Sequence, residues 1–273
     1  MFVYKYDAKA AENLAHAAFS FVEKTGFNLR VGAEIEWYFV TEPSSELCSA
    51  LVENISDKNA PRLVLEKERG NNQYEFALDF VDDVLLLAQR ICAYRELIKK
   101  YALEHDNDVD FCALPYIDQP GSGLHIHVNL WNNSGEFPLA KNPNSDEESD
   151  IMLASIAGLL FCLPKSMPVF APQIADKARY RAGFLAPSKI SWGGNNRTVA
   201  LRIPCSTSNP LSRRIEHRVP SANADPYLVL AEIIKAIELG ILHDMRPQFP
   251  KIYGDAADSQ YGLPNLYQSI FLA

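Results

Sequence analysis

The chain has 273 residues, of which 48% are hydrophobic and only 13 are glycine and 17 proline. That length and composition can bury a real core, in one large domain or two ordinary ones, and they exclude a disordered polymer. The formal charge of -8 excludes a nucleic-acid phosphate tracker, whose affinity comes mainly from Lys and Arg displacing counterions; a site for divalent cations suits the balance better.

Apolar positions at helical spacing predict a helix over residues 8–24, stopped by Thr25-Gly26. Residues 31–40 and 74–80 read as strands, with an irregular polar stretch over 44–58 between them. A long amphipathic helix is expected over 82–105. Residues 111–115 and 124–131 read as strands, and Asn132-Asn133-Ser134-Gly135 as a turn. A solvated loop over 141–150 leads to a helix over 151–163. Strands return at 198–203 and 214–219, followed by a helix over 226–242. No repeat appears, and strands interspersed unevenly with helices point to one α+β domain. Cys48, Cys92, Cys112, Cys162 and Cys205 form no Cys-x-x-Cys, so reduced thiols are expected. No basic and apolar leader opens the chain and no apolar run reads as membrane-spanning, so the expectation is a cytoplasmic protein without a membrane partner.

The ionisable residues fall on one face of several strands. A period of two puts Glu34 and Glu36 on the same side of Ala33-Glu34-Ile35-Glu36-Trp37, aligns His125 with His127, and sets Glu216 between Arg214 and Arg218. Arg202 follows the same rule in Leu201-Arg202-Ile203. One such strand is ordinary in an antiparallel sheet with a wet face. Several strands that choose Glu, His and Arg there match hard-cation and phosphate chemistry, because carboxylates and imidazole take Mg²⁺ or Mn²⁺ while guanidiniums clamp phosphate oxygens. His217 points the other way and reads as a packed or surface histidine, and Trp37, Tyr38 and Phe39 as core.

These segments resemble the glutamine synthetase family. Gly32-Ala33-Glu34-Ile35-Glu36-Trp37-Tyr38-Phe39 is similar to its first metal strand. Glu68-Arg69-Gly70-Asn71-Asn72-Gln73-Tyr74-Glu75 is similar to its paired-glutamate segment, with Gly70 displaced and Asn72 before Gln73. Gly121-Ser122-Gly123-Leu124-His125-Ile126-His127 resembles the Gly-Ser-Gly-Met-His-x-His signature. The segments around Arg197 to Pro204 and Arg214 to Arg218 follow in the family's order. The resemblance implies a curved antiparallel sheet around the site with helices outside. Residues 1–273 would form the catalytic domain alone, without the family's small amino-terminal domain and carboxy-terminal helices.

It also implies roles. Glu36, Glu68 and Glu75 would hold one cation, and Glu34, His125 and Glu216 a second, nearer the ATP phosphates. Arg197 would stabilise phosphoryl transfer, Arg202 and Arg214 would meet the nucleotide phosphates, and Arg218 the acyl phosphate. His127 and Asn129 would lie towards the adenosine, with Gly121 and Arg179 on the substrate. The expected reaction is ATP-dependent formation of a γ-glutamyl phosphate, attacked by ammonia or a larger amine. The expected partners are the small acid and amine, and further copies or a complementary chain, since the family forms rings; nucleic acid is not one.

Departures fall on the amine and amino-acid side. Pro120 stands where the family has Asn before Gly-Ser-Gly, and Phe184-Leu185-Ala186-Pro187 replaces Tyr-Glu-Ala-Pro, so Leu185 can neither attract ammonium nor accept its proton. Ala175-Asp176-Lys177-Ala178-Arg179 replaces Asn-Ser-Tyr-Lys-Arg, which leaves Arg179, or else Arg181, as the candidate for the substrate carboxylate. The departures favour a larger, less polar amine; the second reading is a truncated, non-catalytic metal- and nucleotide-binding relative with a regulatory or assembly role. A metal-dependent hydrolase would leave the arginines unexplained.

Overall fold

In the computed structural model, the described residues are 7–55, 64–137, 139, 148–181, 186–204 and 213–267. The Phe184-Leu185 replacement, Cys205 and most of the expected 141–150 loop lie outside them.

Helix α1 (Ala8–Thr25) opens on Asp7, whose side chain accepts from the Lys9 amide, and closes on Gly26 in the left-handed conformation that glycine adopts freely. Strand β1 (Phe27–Phe39) follows. The polar stretch expected to be irregular is instead α2 (Ser45–Ile55). Leu47, Leu51 and Ile55 recur every four residues on its buried side, and the Ser44 hydroxyl accepts from the Leu47 amide at 3.1 Å, so capping and one apolar stripe suffice despite the polar remainder. Strands β2 (Val64–Lys67) and β3 (Gln73–Val81) form a hairpin. Asn72 turns it at φ 60°, a conformation that Asn tolerates better than most residues after Gly, so the departure from Gly before Gln73 keeps the turn.

Helix α3 (Val84–Glu104) begins at the Asp83 cap. The strand expected over 111–115 is not formed: β4 is only Val109–Asp110. The Asp110 carboxylate accepts from the Cys112 amide at 2.7 Å and turns the chain away, leaving Phe111 and Ala113 buried but unpaired in the sheet. Strand β5 (Leu124–Asn132) matches its expectation, and so does the turn after it, where the Gly135 amide reaches the Asn132 carbonyl at 2.9 Å.

Helix α4 (Asp150–Phe170) runs past Pro164 and Pro168, seven residues beyond its expected end. Leu163, Met167 and Phe170 stay buried on one side, and this packing outweighs the amide bonds that the prolines remove. It is also apolar and long enough to cross a membrane by length and composition, contrary to expectation, yet most of it is buried against the rest of the fold, as a core helix is. The 3₁₀ helix Ile174–Arg179 comes next, then β6 (Trp192–Gly193), β7 (Leu201–Arg202) and β8 (Ile215–His217). The last two are shorter than expected: the Asn196 side chain accepts from the Thr198 amide at 2.9 Å, a turn that uses up the first residues of the run. Helix α5 (Pro226–Leu242) has the expected bounds, with Asp225 as its cap.

The strands pair as β2-β3-β1-β5-β8-β7-β6, with β4 also on β1. All pairs are antiparallel except β6 with β7. Val31, Ala33, Ile35, Trp37 and Phe39 of β1 share one core with α1, α3, α4 and α5. Helices α4 and α5 approach so closely at Gly158 and Gly240 that a Cβ on Gly158 would stand 2.8 Å from the Gly240 nitrogen.

Candidate functional site

The registers alone draw the ionisable residues into a row across the sheet's other face. Glu75 of β3 lies opposite both Glu66 of β2 and Glu36 of β1. Glu34 of β1 lies opposite His125 of β5, His127 opposite Glu216 of β8, and Glu216 opposite Arg202 of β7. Neighbouring strands are about 5 Å apart, so residues remote in sequence become first neighbours.

Two groups of side chains offer atoms that all lie within 4.8 Å of one another: Glu36, Glu68 and Glu75, and Glu34, Glu75 and His125. The first is the set expected from the sequence. The second has Glu75 where Glu216 was expected; Glu216 Oε1 is 3.9 Å from His125 Nδ1, and its oxygens are engaged by Arg202, at 2.6 Å, and by Arg218. Glu216 is fully buried. Burial alone would lift its carboxyl, and Arg218 and the two imidazoles overcome this and hold it below the usual carboxylate range.

Glu75 goes the other way. Burial first, then the charges of Glu34, Glu36, Glu68 and Glu216, push its carboxyl well above the ordinary range. Glu68 is raised by burial and by Glu36. Glu34 is lifted by burial, but His127 and His125 together hold it well below the ordinary range. Such a nest of carboxylates is stable when cations neutralise it. The residues fit that use: carboxylates and imidazole are hard-cation donors, and His125 Nε2 is buried without a hydrogen-bond partner among the described residues.

Main-chain and imidazole contacts fix the row. Glu36 Oε2 accepts from the Gly123 amide at 2.6 Å. Glu34 Oε2 is 3.0 Å from His125 Nδ1, and Glu34 Oε1 is 2.9 Å from His127 Nε2. Arg214 Nε donates to His127 Nδ1 at 3.0 Å. A guanidinium N–H can only donate, so Nδ1 of His127 is the acceptor there and Nε2 faces Glu34. Asn129, buried next along β5, accepts from the Leu130 amide at 2.8 Å.

Glu34, Glu36, Glu68, Glu75, Gly121, His125, Arg179, Arg197, Arg202 and Arg218 line one cleft. His127, Asn129, Arg214 and Glu216 are not among the residues that line it. The cleft encloses about 130 Å³, enough for cations and phosphate oxygens but below the size of pockets that bury a whole organic ligand. Arg179 donates from Nη1 to the Val219 carbonyl at 2.8 Å and from Nη2 to the Arg218 carbonyl at 3.2 Å. A Cβ on Gly121 would meet the Ala113 carbonyl at 2.5 Å, and one on Gly123 would fall 2.8 Å from His125 Nε2, so both glycines are required by close approach. His217 faces the core against the Phe170 ring, centroids 4.8 Å apart.

Glu66, Arg69 and Gln73 also line the cleft, and the sequence reading gave them no part. Glu66 stands two residues before Glu68, the period-two signal used elsewhere, but β2 was not expected. Gln73 ties two walls together, accepting from the Gly70 amide at 3.0 Å and donating to the Gly121 carbonyl at 3.2 Å.

A family model described as glutamine synthetase, catalytic domain, matches residues 41–261. Gamma-glutamylputrescine synthetase PuuA of Escherichia coli (strain K12) is 38% identical over 200 residues, 72% of this chain and 40% of that protein. A solved GmaS/ADP complex superposes with a TM-score of 0.84 at 20% identity, over 97% of this chain and 68% of that one. The cryo-EM structure of Plasmodium falciparum glutamine synthetase gives 0.81 at 20% identity, over 93% and 59%; both likenesses speak to the α+β fold. The chain spans about 40% of the length of the curated relatives that it matches. With four-fifths of its length matched by the family model and its charged row laid out strand by strand, this chain belongs to the glutamine synthetase catalytic-domain family.

Proposed function

We propose that the chain carries the catalytic chemistry of an ATP-dependent glutamate–amine ligase. The observation that carries this reading is the single cleft in which Glu34, Glu36, Glu68, Glu75 and His125 face Arg197, Arg202 and Arg218. Phosphoryl transfer needs mainly positioning and charge neutralisation, which cation ligands and guanidiniums supply.

A side-chain carboxylate oxygen of glutamate attacks the γ-phosphorus of ATP, ADP leaves, and a γ-glutamyl phosphate forms. The amine then attacks the acyl carbon, phosphate leaves, and the nitrogen gives up a proton. Bound Mg²⁺ or Mn²⁺ would supply charge neutralisation. Glu36, Glu68 and Glu75 would hold one ion, and Glu34 and His125 a second, with Glu216 at its edge. Arg197 would meet the transferred phosphoryl group, Arg202 and Arg214 the nucleotide phosphates, and Arg218 the acyl phosphate. Gly121 lets the substrate wall pack against the Ala113 carbonyl by lacking a side chain, and Arg179 holds the backbone that carries Arg218. His127 keeps Glu34 oriented, with Asn129 beyond it on the adenosine side.

The amine is larger than ammonia. Leu185 lacks the acidic group that would favour ammonium, and the relative named gamma-glutamylputrescine synthetase carries an amine larger than ammonia in its name. The chain acts as one catalytic domain, residues 1–273, in the cytoplasm and within an oligomer.

The test is phosphate release from ATP while amines are scanned. Release that needs Mg²⁺ or Mn²⁺, glutamate and an amine, and that is faster with alkylamines than with ammonia, is expected. Heat stabilisation by Mg²⁺ and ATP without release from any amine would instead favour the non-catalytic relative.

A further inference from the structure

Most guanidiniums in or against the cleft are already committed. Arg202 is held by Glu216 and by Asn195, at 3.2 Å from its Nε, Arg218 by Glu216, Arg214 by His127, and Arg179 by two backbone carbonyls. Arg69 and Arg197 line the cleft as exposed side chains, and among the described residues neither guanidinium has a hydrogen bond or ion pair. Arg197 has a place in the proposed chemistry. Arg69 has none.

The placement of Arg69 is not casual. It sits on the β2–β3 turn, where the Gln73 amide donates to the Gly70 carbonyl at 3.1 Å and the Asn71 amide donates to Gln119 Oε1 at 3.2 Å. That tethers the turn to the Pro120–Gly121 wall. Glu66, Glu68 and Glu75 line the same cleft, yet none comes within ion-pair distance of the Arg69 guanidinium. The fixed backbone directs an open guanidinium at the cleft, and its planar fork matches a carboxylate.

We propose that Arg69 recognises a substrate carboxylate other than the one that is phosphorylated. The inference rests on the ligase reading above. The carboxylate comes either from the amino-acid end of the glutamate-like acid or from the acceptor amine. In the second case Arg69 also disfavours an acceptor bearing a further ammonium group, because like charges would meet.

The experiment is calorimetric titration of the whole protein loaded with Mg²⁺ and ADP, comparing wild type with Arg69→Gln and Arg69→Lys. Glutamate is titrated against 4-aminobutanoate, which lacks the α-carboxylate. β-Alanine is then titrated against ethylamine in the presence of glutamate. One expected result is a loss of about 10- to 100-fold in glutamate affinity in Arg69→Gln, with 4-aminobutanoate and Mg²⁺·ADP unaffected; this assigns the α-carboxylate. The other is unchanged glutamate affinity with a similar loss for β-alanine alone, which assigns the acceptor. Arg69→Lys keeps part of the affinity in either case. Unchanged affinities in Arg69→Gln, or losses extending equally to Mg²⁺·ADP, overturn the inference and leave the ligase reading intact. A wild type that binds none of the acids or amines overturns both.

Discussion

Glu75 belongs to both groups of candidate cation ligands, and its carboxyl is the one driven well upward by burial and by its acidic neighbours. In the unfolded chain it would ionise at its ordinary pH. The fold therefore binds this proton more tightly than the unfolded state does, and the stability it contributes at low pH is lost as pH rises. Glu75→Gln keeps the shape and removes the charge, so the cation-free variant should melt several degrees higher than wild type at pH 7.5 while losing the stabilisation that Mg²⁺ or Mn²⁺ gives. Melting scans with a chelator and with added metal read both effects. His217 has the opposite sign. Burial, with the His125 charge, pushes it from 6.5 down to about 3, so the unfolded state takes up the proton first and stability falls as pH drops through that window, by roughly 1.4 kcal/mol per pH unit. Urea midpoints between pH 7 and 4 should show this slope, and His217→Gln should flatten it.

At the scale of elements, the α4–α5 crossing leaves no room for a side chain at Gly158 or Gly240. Gly158→Val should cost about 3 kcal/mol or more in urea unfolding, because overpacking at a backbone contact forces the helices apart. Sequence periodicity placed the bounds of α5 well and ended α4 seven residues early. The bounds of α5 follow from a local cap and Pro226, whereas the last turns of α4 persist through Leu163, Met167 and Phe170, whose partners lie elsewhere in the chain. Helix α2 was missed for a related reason: one stripe of three apolar residues is outweighed by polar neighbours until something covers it. The residues over 111–115 erred the other way, their apolar content suggesting a strand that the Asp110 side chain prevents.

For the molecule as a whole, the acidic row is a liability that cations remove. Glu68 and Glu75 are both raised, so their repulsion grows as pH rises. Chelation should therefore lower the melting temperature more at pH 8 than at pH 5, and scans at the two pH values decide it. Motif order made most of this row legible before any coordinates, since Glu34, Glu36, His125 and Glu216 each carry the parity of their strand. What parity could not supply is the distribution of partners. Glu216 is shared between two arginines, Arg179 is occupied by carbonyls, and Arg69 is left open; each outcome depends on which strands become neighbours and on how their ends turn.

Strand β1 alternates core residues with acidic ones, Ala33, Ile35 and Trp37 on one side and Glu34 and Glu36 on the other. An insertion or deletion of one residue before Glu34 would therefore bury two acids among the helices and turn Ile35 and Trp37 towards the ions. Insertions and deletions in this strand are confined to even numbers, or must be absorbed in its loops. The packing that keeps the interior apolar thus also fixes the direction in which the chemistry faces.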